Sequence, residues 1–273
     1  MAGFRKPGVA TKAVAESATI EDYFTISTDL PNISGFRLSV FGESGIGKTH
    51  LCSNAPGEIF FIDTEGTAKT VVDKQPIEKR KCIRLMNVKQ KFTNDVEIIN
   101  YATTLEGLEQ AVDMIYRYTQ GTEESKPERG TIVIDSMSDV WDWYQFWLSI
   151  QTDLARAKTG KMIQTEWGRA NKRHKELLDK LLLTGWNVVV TAQAHPVYDS
   201  GGQVTQTNDA KWQKGVPFWA DVSGEIRRNG TKTEFVIRKC RHEMRLVGSR
   251  IEDPTFERIV EFISKETGLK FDI

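Results

Sequence analysis

Cysteine is scarce in this chain: Cys52, Cys82 and Cys240 are the only three, widely separated and odd in number. That excludes a disulfide framework, offers no zinc-ligand spacing, and fits a reducing compartment. An excess of charge of one sign is also missing, since Lys plus Arg and Asp plus Glu both number 37. With no global field, a nucleic-acid or membrane partner has to be met by a local patch. No apolar run approaches the ~18 residues of a membrane-spanning helix, and the start, MAGFRKPGVATKA, lacks the apolar core of a signal peptide. The expectation is a cytoplasmic protein, or a nucleoid-associated one in a cell without a nucleus. Internal repeats and low-complexity segments are absent as well.

What is present is the composition of a globular protein, 39% hydrophobic and 27% charged, in a chain of 273 residues that is long enough for one well-buried core. Residues 1–34 are small, polar and weakly patterned apart from Tyr23, Phe24 and Ile26. They read as a flexible N-terminal arm, disordered or docked on a neighbour, ahead of a domain over 35–273. From Phe36 onward β-rich runs alternate with helical patterns. Phe36 to Phe41, Glu58 to Ile62, Thr131 to Ile134 and Asn187 to Thr191 read as buried strands. A capping box, Thr103 with Glu106, opens a helix with Leu105, Leu108, Val112 and Ile115 on one face. A second helix runs from about Thr165 to Leu183, with Ala170, Leu177, Leu178, Leu181 and Leu182 on its stripe. This alternation predicts α/β architecture with a mostly parallel sheet. After Asp221 the pattern becomes a hairpin, VSGEIRR and TKTEFVIRK joined at Asn229-Gly230. A last helix is expected from Asp253 as N-cap and Pro254, with Phe256, Ile259, Val260 and Ile263 inward and Gly268 at its end.

One motif is complete. Gly42-Glu43-Ser44-Gly45-Ile46-Gly47-Lys48-Thr49 satisfies G-x-x-x-x-G-K-[ST], after strand FRLSVF and before the helical stretch THLCSNA. The glycines let backbone N–H groups face phosphates at a helix start, where the dipole favours anions. Lys48 then reaches the outer phosphates of a nucleoside triphosphate and Thr49 ligates Mg²⁺. The binding set runs from Gly42 to His50, with the Glu43 side chain expected to point away. Asp135, at the tip of the strand Thr131 to Ile134, is the second magnesium ligand.

Hydrolysis also needs a group that activates water. Many P-loop ATPases place a Glu directly after the magnesium Asp, but here that residue is Ser136. The segment FFIDTEGT offers an alternative, with Asp63 and Glu65 leaving a strand end on one face. Glu65 has the longer reach and precedes Gly66, which permits close backbone approach. The other reading is two solvated loop carboxylates. Gln193, after the strand NVVVT, can hydrogen-bond a γ-phosphate and report which nucleotide is bound.

Together these residues resemble the RecA/RadA superfamily of P-loop ATPases, most closely the short, phage-type RecA-like AAA-family ATPases of single-strand annealing and recombination. GESGIGKT looks like their P-loop, FFIDTEG like their second-strand motif with the catalytic glutamate, TIVIDS like their magnesium motif, and VVVTAQ like their sensor motif. The resemblance covers about 36–241. It implies a RecA-like core with the sensor strand between the P-loop strand and the Asp135 strand. It also implies ATP and Mg²⁺ as cofactors, and a Mg-dependent hydrolase stimulated by DNA. Single-stranded DNA, further copies of the chain with ATP at subunit interfaces, and a single-strand binding protein are the implied partners, with no membrane. Lys239 and Arg241 look like the cations such proteins place against a neighbour's γ-phosphate. The family's N-terminal helical domain, long C-terminal DNA-binding domain and Phe-x-x-Ala polymerisation pattern have no counterpart here, so filament, ring and short oligomer all stay open.

Two DNA-facing loops are implied, at about 151–165 and 196–216, the second without structure of its own and carrying Trp212 as a base-stacking group. From Arg156 to Lys175 seven basic residues face one acidic residue, Glu166, which suits a phosphate backbone or a solvated helix face equally. The aromatic run Val140 to Trp147 has the spacing of core or subunit packing rather than a stacking platform. His195 reads as a packing or capping residue. The competing function is an ATP-switched assembly or loading factor that barely hydrolyses and acts through a protein partner. A small-molecule kinase lacks support, because no acceptor pocket or Arg-rich lid is evident.

Overall fold

The structure, a computed structural model, describes residues 35–88, 101–121, 125–156, 164–199 and 201–273. The arm expected over 1–34 lies outside the described residues. Among the described residues nine strands form one sheet. They are β1 (Arg37–Gly42), β2 (Ile59–Asp63), β3 (Ile83–Asn87), β4 (Thr131–Asp135), β5 (Asn187–Tyr198), β6 (Val204–Ala210), β7 (Val222–Asn229), β8 (Lys232–Cys240) and β9 (Arg250–Glu252). The order is β3-β2-β4-β5-β1-β7-β8-β9, with β6 on the far half of β5. Every pairing from β3 to β7 is parallel, and β8 and β9 extend the sheet antiparallel. The sensor strand does lie between the P-loop strand and the Asp135 strand.

Eight helices accompany the described part: α1 (Lys48–Ser53), α2 (Ala68–Val72), α3 (Ile77–Lys81), α4 (Tyr101–Gln120), α5 (Met137–Arg156), α6 (Gln164–Leu183), α7 (Val216–Trp219) and α8 (Phe256–Thr267). Alternation along the strands divides the core in two. Ile132, Ile134, Val188, Val190 and Ala192 face α4, α5 and α6, meeting Leu108, Tyr144 and Leu181. Val133, Val189, Leu38, Val40 and Phe61 face the other way, onto Leu51 of α1 and Phe256, Ile259, Val260 and Ile263 of α8. A strand covered on both faces is a continuous apolar run, which is why TIVI and NVVV read as buried strands.

Several local expectations are corrected. The helix expected to start at a Thr103 cap is helical from Tyr101, so Thr103 has no extended cap geometry; its inward face is as expected. On α6 the stripe is Ala170, His174, Leu177, Leu178 and Leu181, whereas Leu182 is exposed, one helical step past it. The hairpin turn is Gly230-Thr231, with Asn229 already paired to Lys232. The last helix is capped by Thr255, whose hydroxyl accepts from the Arg258 N–H at 3.2 Å; Asp253 adopts a positive φ of 45° and ends the preceding turn. Gly268 at φ 73° closes that helix as expected.

Both expected DNA loops are shorter than thought. Helix α5 continues to Arg156, and 157–163 lie outside the described residues. The second loop is largely a β-ribbon, because β5 runs on to Tyr198 and β6 pairs back along it. Pairing satisfies backbone groups that a bare loop would leave to water. Trp212 is not an exposed stacking surface, being 9% exposed with its ring edge-on to Phe41 at 5.9 Å. His195 is held at its Nδ1 by the Asp209 carbonyl at 2.9 Å. Most of the aromatic run packs inward: Val140, Trp143 and Tyr144 are buried, though Phe146 is exposed. No described helix is long and apolar enough to cross a membrane.

Candidate functional site

Parallel pairing brings four strand ends to one edge. Gly42 of β1 is in register with Gln193 of β5, and Asp63 of β2 with Asp135 of β4. Residues far apart in the chain therefore meet where open α/β sheets receive ligands. A cavity of about 360 Å³ opens there, lined by Ser44, Gly45, Gly47, Lys48, Thr49, His50, Glu65, Thr67, Thr70, Val71, Asp135 and Gln193. Of the residues expected to bind nucleotide, Gly42, Glu43 and Ile46 are not in that lining.

Gly42 acts from beneath. A Cβ on it would strike the Ile226 carbonyl at 2.5 Å, so glycine there lets β1 lie close to β7. Gly45 and Gly47 instead need their positive φ of 71° and 110°, and a Cβ on either would project into open space. The Glu43 side chain is exposed, and its carbonyl together with that of Gly42 accepts from Lys48 Nζ, at 2.8 and 2.9 Å. Burial lowers the Lys48 pKa, and the nearby Asp135 and Glu65 carboxylates oppose that shift.

Asp135 is 4% exposed and receives the Thr49 hydroxyl at 2.7 Å and the Thr191 hydroxyl. Burial raises its pKa, partly offset by those two hydroxyls. Its backbone is tied to β2, with the Thr64 N–H donating to the Asp135 carbonyl at 2.8 Å and the Ser136 N–H to the Thr64 hydroxyl at 2.7 Å.

Asp63 and Glu65 have separate tasks. Asp63 is buried and turns inward, accepting from the N–H groups of Gly66 at 2.7 Å and Ala68 at 2.9 Å. It builds the turn that carries Glu65 into the cavity. Glu65 accepts from Gln193 Nε2 at 3.2 Å, so the expected base and the expected sensor touch each other. The Gln193 backbone is held in turn: its N–H donates to Ser138 Oγ at 2.9 Å, its carbonyl accepts from the Lys211 N–H at 2.8 Å, and Ser138 Oγ donates to the Lys211 carbonyl at 2.6 Å.

Thr191 and Ser138 were missed in the sequence. Thr191 was legible once β4 and β5 were paired, since Ile134 lies opposite Val190 and Asp135 and Thr191 are the residues that follow them. Nothing in the sequence marked Ser138, whose partners lie 55 and 73 residues away.

Lys239 and Arg241 are not brought to this cavity. The register sets Cys240 opposite Val222, and Ile226 opposite Gly42. The four residue steps from Val222 to Ile226 span roughly 13 Å of strand, so the pair sits toward the other end of the sheet. Lys239 donates to the Ala220 carbonyl, and Arg241 to the Phe218 and Trp219 carbonyls at 2.6 and 3.1 Å. Burial, with Arg241 adding repulsion, lowers the Lys239 pKa to about 8. The basic run on α6 is partly neutralised too. Arg173 forms a fork with Glu109 at 2.6–2.7 Å, and Lys172 and Lys175 approach Glu176 and Asp179 at 3.9 and 3.7 Å. Lys158 and Lys161 lie outside the described residues.

A glycine-rich turn, a buried lysine and a Thr–Asp pair at the carboxyl edge of a parallel sheet define a P-loop nucleotide site. Residues 34–253 match the family model described as an AAA domain, and the chain belongs to that family. No curated protein matches it. Among solved structures it is similar to a KaiC-like protein from the hyperthermophilic archaeon Pyrococcus horikoshii, at 15% identity and a TM-score of 0.42, covering 80% of this chain and 84% of that one. It is also similar to a RadB recombinase, at 15% identity and a TM-score of 0.43, covering 81% and 87%. Neither distant likeness bears on what this protein acts upon.

Proposed function

We propose that the protein binds ATP with Mg²⁺ in the cavity at the sheet edge, hydrolyses it with Glu65 as general base, and uses the cycle to handle single-stranded DNA in recombination, annealing or replication. The observation that supports this most is convergence: Lys48, the Thr49–Asp135 pair, Glu65 and Gln193 come from four strand ends and line one space.

The residues fit the cofactor. Mg²⁺ in nucleotide sites takes one or two carboxylates plus phosphates and waters, rather than an all-protein cage. Asp135 and Thr49 supply such a half-shell, and the buried Asp135 carboxylate gains from a nearby cation in its ionised form. When bound, the ion supplies charge compensation to the phosphoryl oxygens. Lys48 adds a second positive charge from within the loop. Glu65 takes a proton from water, and Gln193 holds the Glu65 carboxylate in place while presenting its own amide to the cavity. Lys239 and Arg241 serve a neighbouring copy, because strand geometry keeps them from their own site.

The DNA part of the reading rests on the exposed cations of α6, Arg169, Lys172 and Lys175, and on the joint between Gln193 and the β5–β6 ribbon through Lys211. Binding through such cations weakens steeply with salt.

One observation favours a second reading, an ATP-switched loading factor acting through a protein partner. Ser136 stands where many P-loop ATPases carry Glu, and Glu65 is already engaged by Gln193. ATP hydrolysis measured with and without an oligothymidylate separates the two. Stimulation that Lys48→Ala and Glu65→Gln both abolish, with Glu65→Gln still binding ATP, supports the DNA-dependent ATPase; general-base removal costs about 10²–10⁴-fold in turnover. A flat, near-zero rate with tight ATP binding supports the switch. Normal hydrolysis by Glu65→Gln removes Glu65 as base. For the neighbour contact, mixing Lys48→Ala with Lys239→Ala/Arg241→Ala should restore turnover that neither variant has alone.

A further inference from the structure

Away from the nucleotide cavity, a recess of about 290 Å³ lies between α6 and the segment after β6. Trp141, Trp167 and Trp212 wall it, and Asn171, Gln213 and Lys214 form its polar side. Three of the chain's seven tryptophans therefore meet at one opening. Trp212 is the nearly buried floor, whereas Trp141 and Trp167 are only half-buried. Indole surface left partly wet in a concavity, with a few polar groups converging on it, is the make-up of a ligand site rather than of a core.

The polar groups narrow the ligand. Gln213 Nε2 donates to Asn171 Oδ1 at 3.3 Å and Gln213 Oε1 accepts from the Gly215 N–H, so the two amides are held in place and present the Asn171 amide N–H groups and the second Gln213 N–H as donors to the edge of a base. Lys214 is an exposed cation at the same opening. A neighbouring cavity of about 610 Å³ shares Asn171 and Gln213 and adds Lys172 and Lys175. Aromatic faces with amides, flanked by lysines, match an unstacked base and the phosphates on either side of it. The Trp141 and Trp167 centroids are 6.3 Å apart, with the rings tilted by 33°. A base inserted between them would need about 7 Å, two stacking steps of ~3.4 Å, so it rests against the pair rather than between its rings.

We propose that this recess receives one unstacked base of a single-stranded nucleic acid. The assignment rests on the single-stranded DNA reading above and deepens it by naming where a base is held. It also moves stacking from Trp212 to the half-buried Trp141 and Trp167. Trp212 directly follows Lys211, which is hydrogen-bonded to Gln193, so the recess adjoins the joint that leads to the nucleotide cavity.

Two substitutions separate stacking from packing. Trp167→Phe keeps an aromatic face, and Trp167→Leu keeps apolar bulk without one. Affinity for a fluorescein-labelled oligothymidylate, read by anisotropy at one low salt concentration, should stay within about two-fold for Trp167→Phe and fall roughly ten-fold for Trp167→Leu. Wild type should prefer oligothymidylate to an abasic oligomer of equal length, by a margin that Trp167→Leu loses. Should Trp167→Leu fail to fold by urea titration, the exposed Asn171→Ala replaces it and should weaken binding about three-fold. Equal affinity for the abasic and thymidine oligomers, or wild-type affinity in a folded Trp167→Leu or in the Asn171→Ala that replaces it, overturns the recess and leaves the DNA reading intact. No oligonucleotide binding at any salt overturns both.

Discussion

Asp135, the last residue of β4, and Asp221, just ahead of β7, are both buried, near opposite ends of the sheet, and their surroundings differ in kind. Asp221 is fully buried and receives the Arg37 N–H at 3.0 Å, the Arg37 Nε at 2.9 Å and the other arm of the guanidinium at 2.6 Å. The charge is matched within the chain, and the fork ties the start of β1 to the residue before β7. Asp135 receives only hydroxyls at its carboxylate, from Thr49 and Thr191, and burial pushes its pKa up. A buried charge held in a guanidinium fork is matched by its direct partner, whereas one hydrogen-bonded only by hydroxyls is compensated less completely, with Lys48 as the nearby positive charge.

The sharpest way to break this contrast is Asp221→Ala, which leaves the largely buried Arg37 guanidinium without its carboxylate. It should cost about 3–5 kcal/mol in urea unfolding, the usual penalty for removing one partner of a buried pair. A loss below about 1 kcal/mol would mean that the fork is not a structural tie.

The next effect tests whether burial alone stores pH sensitivity. His174 sits between the Trp141 and Tyr144 rings, its Nε2 has no hydrogen-bond partner, and burial lowers its pKa from 6.5 to about 4. The folded state thus binds the proton less readily than the unfolded chain. The stability associated with neutral His174 is complete above about pH 6.5 and is lost as pH falls toward about 4. Between about pH 7.5 and about pH 5, His174→Phe should remove about 2 kcal/mol of the fall in unfolding free energy. Identical pH profiles for the two proteins would refute that account of His174.

Smaller still, Asp63→Asn leaves one oxygen for the two N–H groups of Gly66 and Ala68, costing about 1 kcal/mol. Because that turn carries Glu65, ATP turnover should fall with it, though less than in Glu65→Gln. Asp135→Asn should have the smallest effect on stability, within about 1 kcal/mol and of either sign, since a neutral amide relieves the burial of charge. Its Mg²⁺-dependent ATP binding should nevertheless drop at least ten-fold. If Asp135→Asn is as damaging to stability as Asp221→Ala, the two aspartates are alike and the contrast fails.

The nucleotide site was legible wherever chemistry needs residues at fixed local spacing. The P-loop is one continuous stretch, and Asp135, Glu65 and Gln193 each end an apolar run that marks its own strand. Once the strands are known to be parallel, their tips must share an edge. Contacts whose partners are distant in sequence left no such mark. The Ser138 hydroxyl on Gln193 and the fork of Arg37 on Asp221 depend on which strands and helices adjoin. The β5–β6 ribbon was hidden because a polar, glycine-containing segment reads as a loop unless one sees it pair back on its own strand. Cap positions failed for a related reason, since Asp253 and Thr255 both suit a helix start and backbone geometry alone chose the second.

Sequence by itself therefore determined the class of site, the parallel core that displays it and the identity of the residues at each strand tip. These follow from side-chain type and short-range periodicity, which survive any arrangement of the remaining chain. Tertiary structure alone decided that Asp63 braces a turn while Glu65 enters the cavity, that Glu65 meets Gln193, and that Lys239 and Arg241 lie away from their own nucleotide site. It also decided that Trp212 is buried while Trp141 and Trp167 are left half-exposed around a recess. Burial and hydrogen-bond partnership are properties of what surrounds a residue, and strand register and helix packing supply those surroundings.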